Sequence, residues 1–284
     1  MTLKIRVLLI FISDKLYQMS KLENYLQKYD KLEKKIVYDF NLINGGIGDM
    51  INFFVHLLSI CVDNNIKILY LVNNIHIEKY LKLSYTKMYI KNEDIIGNVS
   101  NINNFDDIFR IEKNRFYFLK PNILYNTFSY DIIDEFPVYE LFEFSHEVKK
   151  NIENYLKDQY ISIHLRLGDK FLETDHSYVF SKEDVRKYNE NNIFSTIQQN
   201  NDKNIMFFCD NNNYKLKIKN KYDNVVITNF EIGHTTLLNT TDVQVLNSVS
   251  EFYLLINSTH IYAASNSGFS KVASKFKGTQ ITYI

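Results

Sequence analysis

The chain has 284 residues, 45% of them hydrophobic and 23% charged, and its formal net charge is +0. That length suits two lobes of ordinary domain size better than one core. A neutral chain lacks the clustered positive charge that phosphate-backbone contacts need, so nucleic acid and anionic membrane surfaces are excluded as partners held by bulk electrostatics.

Taken from the start, "RVLLIFIS" is apolar but is closed by Asp14, too early for a signal peptide or a membrane span. A soluble, cytoplasmic protein without a transmembrane segment is expected. Residues 36–43, "IVYDFNLI", read as a strand that stops at "NGGIGD". "MINFFVHLLSICVDNN" then has helical spacing, and "IKILYLVNN" is strand-like again. This strand, glycine turn, helix and strand form the building unit of a parallel sheet. From about 75 to 145 the pattern is broken into short aromatic strands and Asn/Asp-rich turns.

The second half alternates more cleanly. "YISIHL" (160–165) is a strand, and 181–200 a helix capped by Ser181 with Glu183 and Asp184 in its first turn. Strands follow at 204–209, 224–228, 260–265 and 280–284, with helices at 212–221, 242–257 and 268–276 between them. Alternation of this kind predicts a doubly wound α/β sheet. A polar helix at 145–158 marks the boundary, giving lobes at 1–150 and 151–284 that face each other across a cleft. Cys61 and Cys209 each lie within an apolar run and are expected as buried reduced thiols. The 21 Tyr and 21 Phe accompany abundant Asn, Ile and Lys, so most are expected as core rather than as sugar platforms.

Ligands of open parallel sheets bind beyond the carboxyl ends of the strands, so four strand exits matter: "GGIGD", "RLGDK", "DNNN" and "SNSGFS". In "HLRLGD", His164 and Arg166 fall on one face of a strand. Arg166 is either tied to a buried carboxylate, with Asp169 a candidate, or reaches an anionic ligand. "SNSGFSKVASKF" opens a helix with small residues that suit either a phosphate or an ordinary N-cap. "GGIGD" reads as a tight turn into a helix, and Asp49 as either a cap or a base facing the cleft. His234, in "EIGHTT", is expected to hydrogen-bond within its loop. No D-x-D triplet occurs, and no histidine pair has metal-ligand spacing, so no metal and no cofactor are expected.

"ISIHLRLGDK", followed by "EFYLLINSTHIYAASNSGFSKVASKF", resembles the donor-binding half of the GDP-fucose-dependent GT-B fucosyltransferases, the group that includes the α-1,2-, α-1,6- and protein O-fucosyltransferases. The early "GGIGD" is similar to their G-G-x-G-N segment. The resemblance covers residues 160–284 and, in the first half, 36–72. It implies a GT-B fold of two doubly wound Rossmann-like lobes, an acceptor-side lobe at 1–150 and a nucleotide-sugar lobe at 151–284. It further implies an inverting enzyme that moves fucose from GDP-fucose to a glycan hydroxyl. The alternatives are another nucleotide sugar as donor, or a binding protein without turnover.

By that resemblance, Arg166 meets the departing diphosphate; Asp49, from its place at the start of a helix facing the cleft, is the second catalytic candidate. Donor contacts fall to His164, Gly168, Asp169, Asp210, Asn211, Ser265, Asn266, Ser267, Gly268, Phe269 and Ser270. Asp210 and its Asn neighbours are placed near ribose or guanine. Gly45, Gly46 and Gly48 form an acceptor-side loop. Asp49 stands where the family usually has Asn, and Lys271 and Val272 stand where two tryptophans often follow the serine turn.

Overall fold

Every residue of "ISIHL" is buried, the mark of a central parallel strand covered on both faces rather than of a half-exposed one. The computed structural model describes residues 21–40, 45–71, 76–119, 121–128, 136–156, 158–172, 185–237 and 239–284. Its strands are β1 (Lys35–Tyr38), β2 (Lys67–Leu71), β3 (Leu81–Leu83), β4 (Tyr89–Ile90), β5 (Val99–Ile102), β6 (Phe116–Leu119), β7 (Phe142–Phe144), β8 (Ile161–Leu165), β9 (Ile205–Cys209), β10 (Val225–Val226), β11 (Ile261–Ala263) and β12 (Ile281–Tyr283).

The chain forms two compact units, and they interleave along the sequence. The first draws on described residues within 21–40, 51–71 and 85–141, the second on those within 45–50, 76–84 and 142–284. The first holds a parallel sheet in the order β4-β2-β1-β6-β5; the second holds one in the order β10-β9-β8-β11-β12. A short antiparallel pair, β3 with β7, also belongs to the second unit. The helix Ile47–Asn64 starts in the second unit and continues in the first, so the glycine turn before it packs with the sheet of the second half.

In the second unit, Ile161, Ile163 and Leu165 point to one face of β8. They pack with Phe207, with Ile193 and Ile197 of the helix Glu190–Gln199, and with Ile218 of the helix Asn212–Lys219. Each such side chain contributes about 1.5–3 kcal/mol by leaving water. The alternate positions, Ser162 and His164, face the other way, where Phe269 of the helix Gly268–Lys277 covers His164. Helices on both faces are what a doubly wound sheet requires.

One element starts later than its sequence suggests. Residues 185–189 are irregular, and the helix Glu190–Gln199 is capped by Asn189, whose side chain accepts from Asn191 N–H at 3.0 Å. Asn favours a cap over a helix interior, and the buried face begins only at Ile193. Ser181, with Glu183 and Asp184, lies outside the described residues. Cys61 and Cys209 are free, buried thiols, and burial pushes both to more basic values.

Candidate functional site

The second sheet reverses its winding between β8 and β11: β9 and β10 extend to one side, β12 to the other. Such a switch point opens a crevice at the carboxyl ends of the two strands. Both exits carry polar residues, and they are tied together, because Arg166 N–H donates to Ser265 Oγ at 2.8 Å.

Asp210, at the exit of β9, holds the loop after β8. Its Oδ1 accepts from Leu167 N–H at 2.8 Å and its Oδ2 from Gly168 N–H at 3.0 Å; Arg166 Nη1 lies 2.9 Å from the same Oδ2. Gly168 adopts φ 125°, a region that side-chain-bearing residues rarely enter, and this lets two successive amides converge on one carboxylate. On its other side Arg166 bonds Asp169 Oδ1 through Nη2. Asp169 and Asp210 are buried, whereas the Arg166 side chain keeps 17% of its surface. Two carboxylates therefore fix the plane of a guanidinium that still reaches solvent. A guanidinium carries five N–H donors, so this pairing leaves capacity for an anion.

The serine turn is built differently from a row of open hydroxyls. Ser265 is bound to Arg166 N–H. Ser267 caps the helix Gly268–Lys277 by accepting from Phe269 N–H at 3.3 Å, and Ser270, fully buried, donates to Ser267 O at 3.3 Å. Asn266 alone of the turn is exposed. Asn211 is likewise occupied: its Oδ1 caps the helix Asn212–Lys219 through Tyr214 N–H at 3.0 Å, and its Nδ2 donates to Phe171 O at 3.3 Å. These side chains serve the turn itself, and Arg166 is the group of the site that keeps an exposed edge.

Against this turn lies the glycine turn. A Cβ on Gly48 would sit 2.7 Å from the backbone carbon of Gly268 and 2.8 Å from its oxygen, closer than real atoms approach. Only glycine lets the first turns of the helices Ile47–Asn64 and Gly268–Lys277 press backbone to backbone. Two N-terminal dipole ends meet there. Asp49 bonds back within its own turn, its Oδ2 accepting from Gly46 N–H at 3.0 Å, while Met50 N–H donates to Gly46 O at 3.0 Å. That is half of a capping box.

Two histidines complete the surroundings. His164 stacks on Phe269 at 5.3 Å and is buried, its Nδ1 without a partner. Burial, and then the charge of Arg166, push its pKa down to about 3. The half-buried His234 is lowered by the same two causes in the same order. Its ring would lie 3.7 Å from a Cβ on Gly46, and its neighbour Thr236 donates through Oγ1 to Gly45 O.

No protein-family model and no curated protein matches the sequence. Solved structures match the fold. FUT1 of Arabidopsis thaliana, in complex with GDP, superposes with a TM-score of 0.58 at 11% identity, over 94% of this chain and 79% of that one. The NodZ α-1,6-fucosyltransferase of Bradyrhizobium, soaked with GDP-fucose, gives 0.54 at 10%, over 86% and 92%. POFUT1 in complex with GDP-fucose gives 0.52 at 7%, over 89% and 98%.

The fold is that of the GT-B fucosyltransferases.

On this GT-B framework, His164, Arg166, Gly168, Asp169, Asp210, Ser265, Ser267 and Gly268 gather at one end of the second sheet. Gly46, Gly48 and Asp49 pack with the same unit. Sequence reasoning placed Asp210 near ribose or guanine, and the structure shows both its oxygens engaged by the 166–168 loop. It gave His234 only a loop role. It passed over the buried Lys215–Glu251 pair, 2.6 Å apart, with Thr228 bonded to the same Glu251 oxygen. The signals were a histidine after a glycine, and a lone glutamate opening the apolar run "EFYLLI". Among the described residues no helix is long and apolar enough to cross a membrane, and no group of three or more His, Cys, Asp or Glu side chains is arranged around a metal ion.

Proposed function

We propose that the protein is an inverting glycosyltransferase that moves fucose from GDP-fucose to a hydroxyl of a glycan or glycoconjugate. The observation that carries the reading is Arg166, partly exposed at the switch point and oriented by Asp169 and Asp210. The GDP and GDP-fucose complexes of proteins with this fold support it.

In the transfer, the acceptor oxygen forms a bond to the anomeric carbon. The bond from that carbon to the β-phosphate oxygen breaks, and its electron pair leaves with the diphosphate. Arg166 and the amides at the abutting helix starts meet the growing negative charge, with exposed Lys170 at the same turn. These groups supply the positive potential that a metal provides elsewhere, so the reaction runs without one.

The same chemistry serves any nucleoside-diphosphate sugar, which makes the test a donor panel. GDP release should be seen from GDP-fucose, in excess chelator, and should rise with a glycan acceptor. Turnover of a different donor alone would replace the fucose assignment. Loss in chelator with rescue by Mn²⁺ would end the metal-free reading. GDP binding without turnover of any donor would mark a binding protein.

A further inference from the structure

Lys215, on the helix Asn212–Lys219, has no exposed surface, which is rare for a lysine. Its ammonium hydrogens find three acceptors: Glu251 Oε1 at 2.6 Å, Thr228 Oγ1 at 3.2 Å and Phe230 O at 3.5 Å. Thr228 gives its one hydroxyl hydrogen to the same Glu251 oxygen, so the three side chains close a ring of bonds. A buried ion pair is often no more stable than packed apolar residues of the same volume. Hydrogen bonds are directional where apolar packing is not, so a ring of this kind fixes a course for the chain.

What it fixes is the loop after β10. Glu251 belongs to the helix Asp242–Ile256, where Gln244, Asn247, Ser248 and Glu251 are buried polar side chains recurring along one face. Asn247 Nδ2 donates to Glu231 O at 3.2 Å, and Ser248 Oγ lies 2.8 Å from both Gly233 O and Gln244 O. Gly233 is pressed onto that face: a Cβ there would sit 2.5 Å from Thr240 Cγ2 and 3.0 Å from Gln244 Cβ. Three residues further on, Thr236 donates through Oγ1 to Gly45 O of the glycine turn, whose Gly48 abuts Gly268 at the serine turn. Every link lies within the second unit.

We propose that Lys215 is a positioning residue of the transfer. With Glu251 and Thr228 it sets the course of residues 228–236, and that loop seats the glycine turn against the serine turn. The inference rests on the donor reading above, in which Lys215 touches no reacting atom.

The helix that carries Lys215 starts at Asn212, two residues after the Asp210 that orients Arg166. One rigid element therefore sets both the arginine and the loop. Arg166 and the amides at the abutting helix starts have to be in place together to meet the charge that grows on the diphosphate. A displacement of about 1 Å at one of them costs on the order of 10²-fold in rate.

The test uses the full chain, GDP and GDP-fucose. Lys215→Met, Thr228→Val and Glu251→Leu are combined, so that the whole ring becomes apolar at similar volume and the unfolding midpoint stays near that of wild type. GDP release from GDP-fucose per folded molecule should fall by about 10–10²-fold, with GDP affinity within about threefold because Arg166 keeps both its carboxylates. Thr236→Val, which removes the bond to Gly45, should lower turnover in the same direction. Added to the triple variant it should cost little more, because both act through one loop. If the triple variant does not fold, Thr228→Val, which loosens the ring and keeps the ion pair, takes its place in the same comparison. Normal turnover per folded molecule, or fully additive losses with Thr236→Val, would overturn the proposal alone. Absence of GDP binding by the wild type would overturn the donor reading, and this proposal with it.

Discussion

The two parallel sheets share a plan and differ in what fills it. Each has its earliest strand, β1 or β8, at the point where the winding reverses. Around β1 the space is aromatic: Tyr38 packs with Phe40, Phe54 and Tyr70 at ring distances of 5.4–6.0 Å, and Tyr70 with Tyr89 at 5.4 Å. The buried polar side chains of that unit, apart from tyrosines and among the described residues, are Asn52 and His56. Around β8 the buried set includes His164, Asp169, Asp210 and Ser265, each placed by a strand exit. A shared topology provides a crevice, and the residues at the exits decide whether it does chemistry or only packs.

The comparison breaks if the two regions respond alike to deletion. Asp210→Ala strips a carboxylate from two buried amides and from Arg166. It should cost about 3–5 kcal/mol and abolish GDP binding, measured by denaturant unfolding and calorimetry. Tyr38→Ala should cost a similar ~3–5 kcal/mol through the cavity it leaves, with GDP affinity unchanged in the folded fraction. A large change in affinity from Tyr38→Ala would show that the aromatic region is not merely packing.

Acidification should act on the polar region first. His164 titrates near 6.5 when unfolded and at about 3 when folded, so between those values the unfolded chain binds the extra proton. Its stabilising contribution is complete above the unfolded value and is lost as the pH falls from there toward 3. The slope approaches about 1.4 kcal/mol per pH unit. His164→Phe, which keeps a ring against Phe269, should flatten the profile of melting temperature against pH. An unchanged profile would mean that His164 is not held neutral.

Smaller changes sharpen the picture at the glycine turn. Gly48→Ala must push apart two helix starts and should cost about 1–3 kcal/mol, with weakened GDP binding. Asp49→Asn should alter stability by less than about 0.5 kcal/mol, because Asn also caps, and should leave turnover within about twofold. A loss of turnover above tenfold would assign Asp49 as the base instead of a cap.

Much of this was legible because local patterns forced it. A buried strand that ends in His164, Arg166 and Gly168 has to turn at a site or at an ion pair, and here Arg166 makes the ion pairs while keeping an exposed edge. The strands and helices after residue 200 fell close to their expected positions for the same reason. What sequence did not reveal is long-range. Nothing near Asp210 says that it meets amides 42 and 43 positions away, and nothing near Gly45 points to Thr236, 191 positions on. Hydrogen-bond partners across a fold depend on which strands become neighbours. The late helix start at Glu190 has a local cause, since Asn189 competes for the cap and none of the described residues 185–192 is buried ahead of Ile193.

The central claim is that Arg166 meets a nucleotide diphosphate, and calorimetric titration of GDP into wild type, Arg166→Ala and Arg166→Lys tests it most directly. The account predicts measurable binding by wild type, binding lost or weakened at least tenfold in a folded Arg166→Ala, and partial recovery in Arg166→Lys, which keeps the charge but not the fork. Equal GDP affinity in wild type and in folded Arg166→Ala would contradict it and leave Arg166 as the structural partner of Asp169 and Asp210.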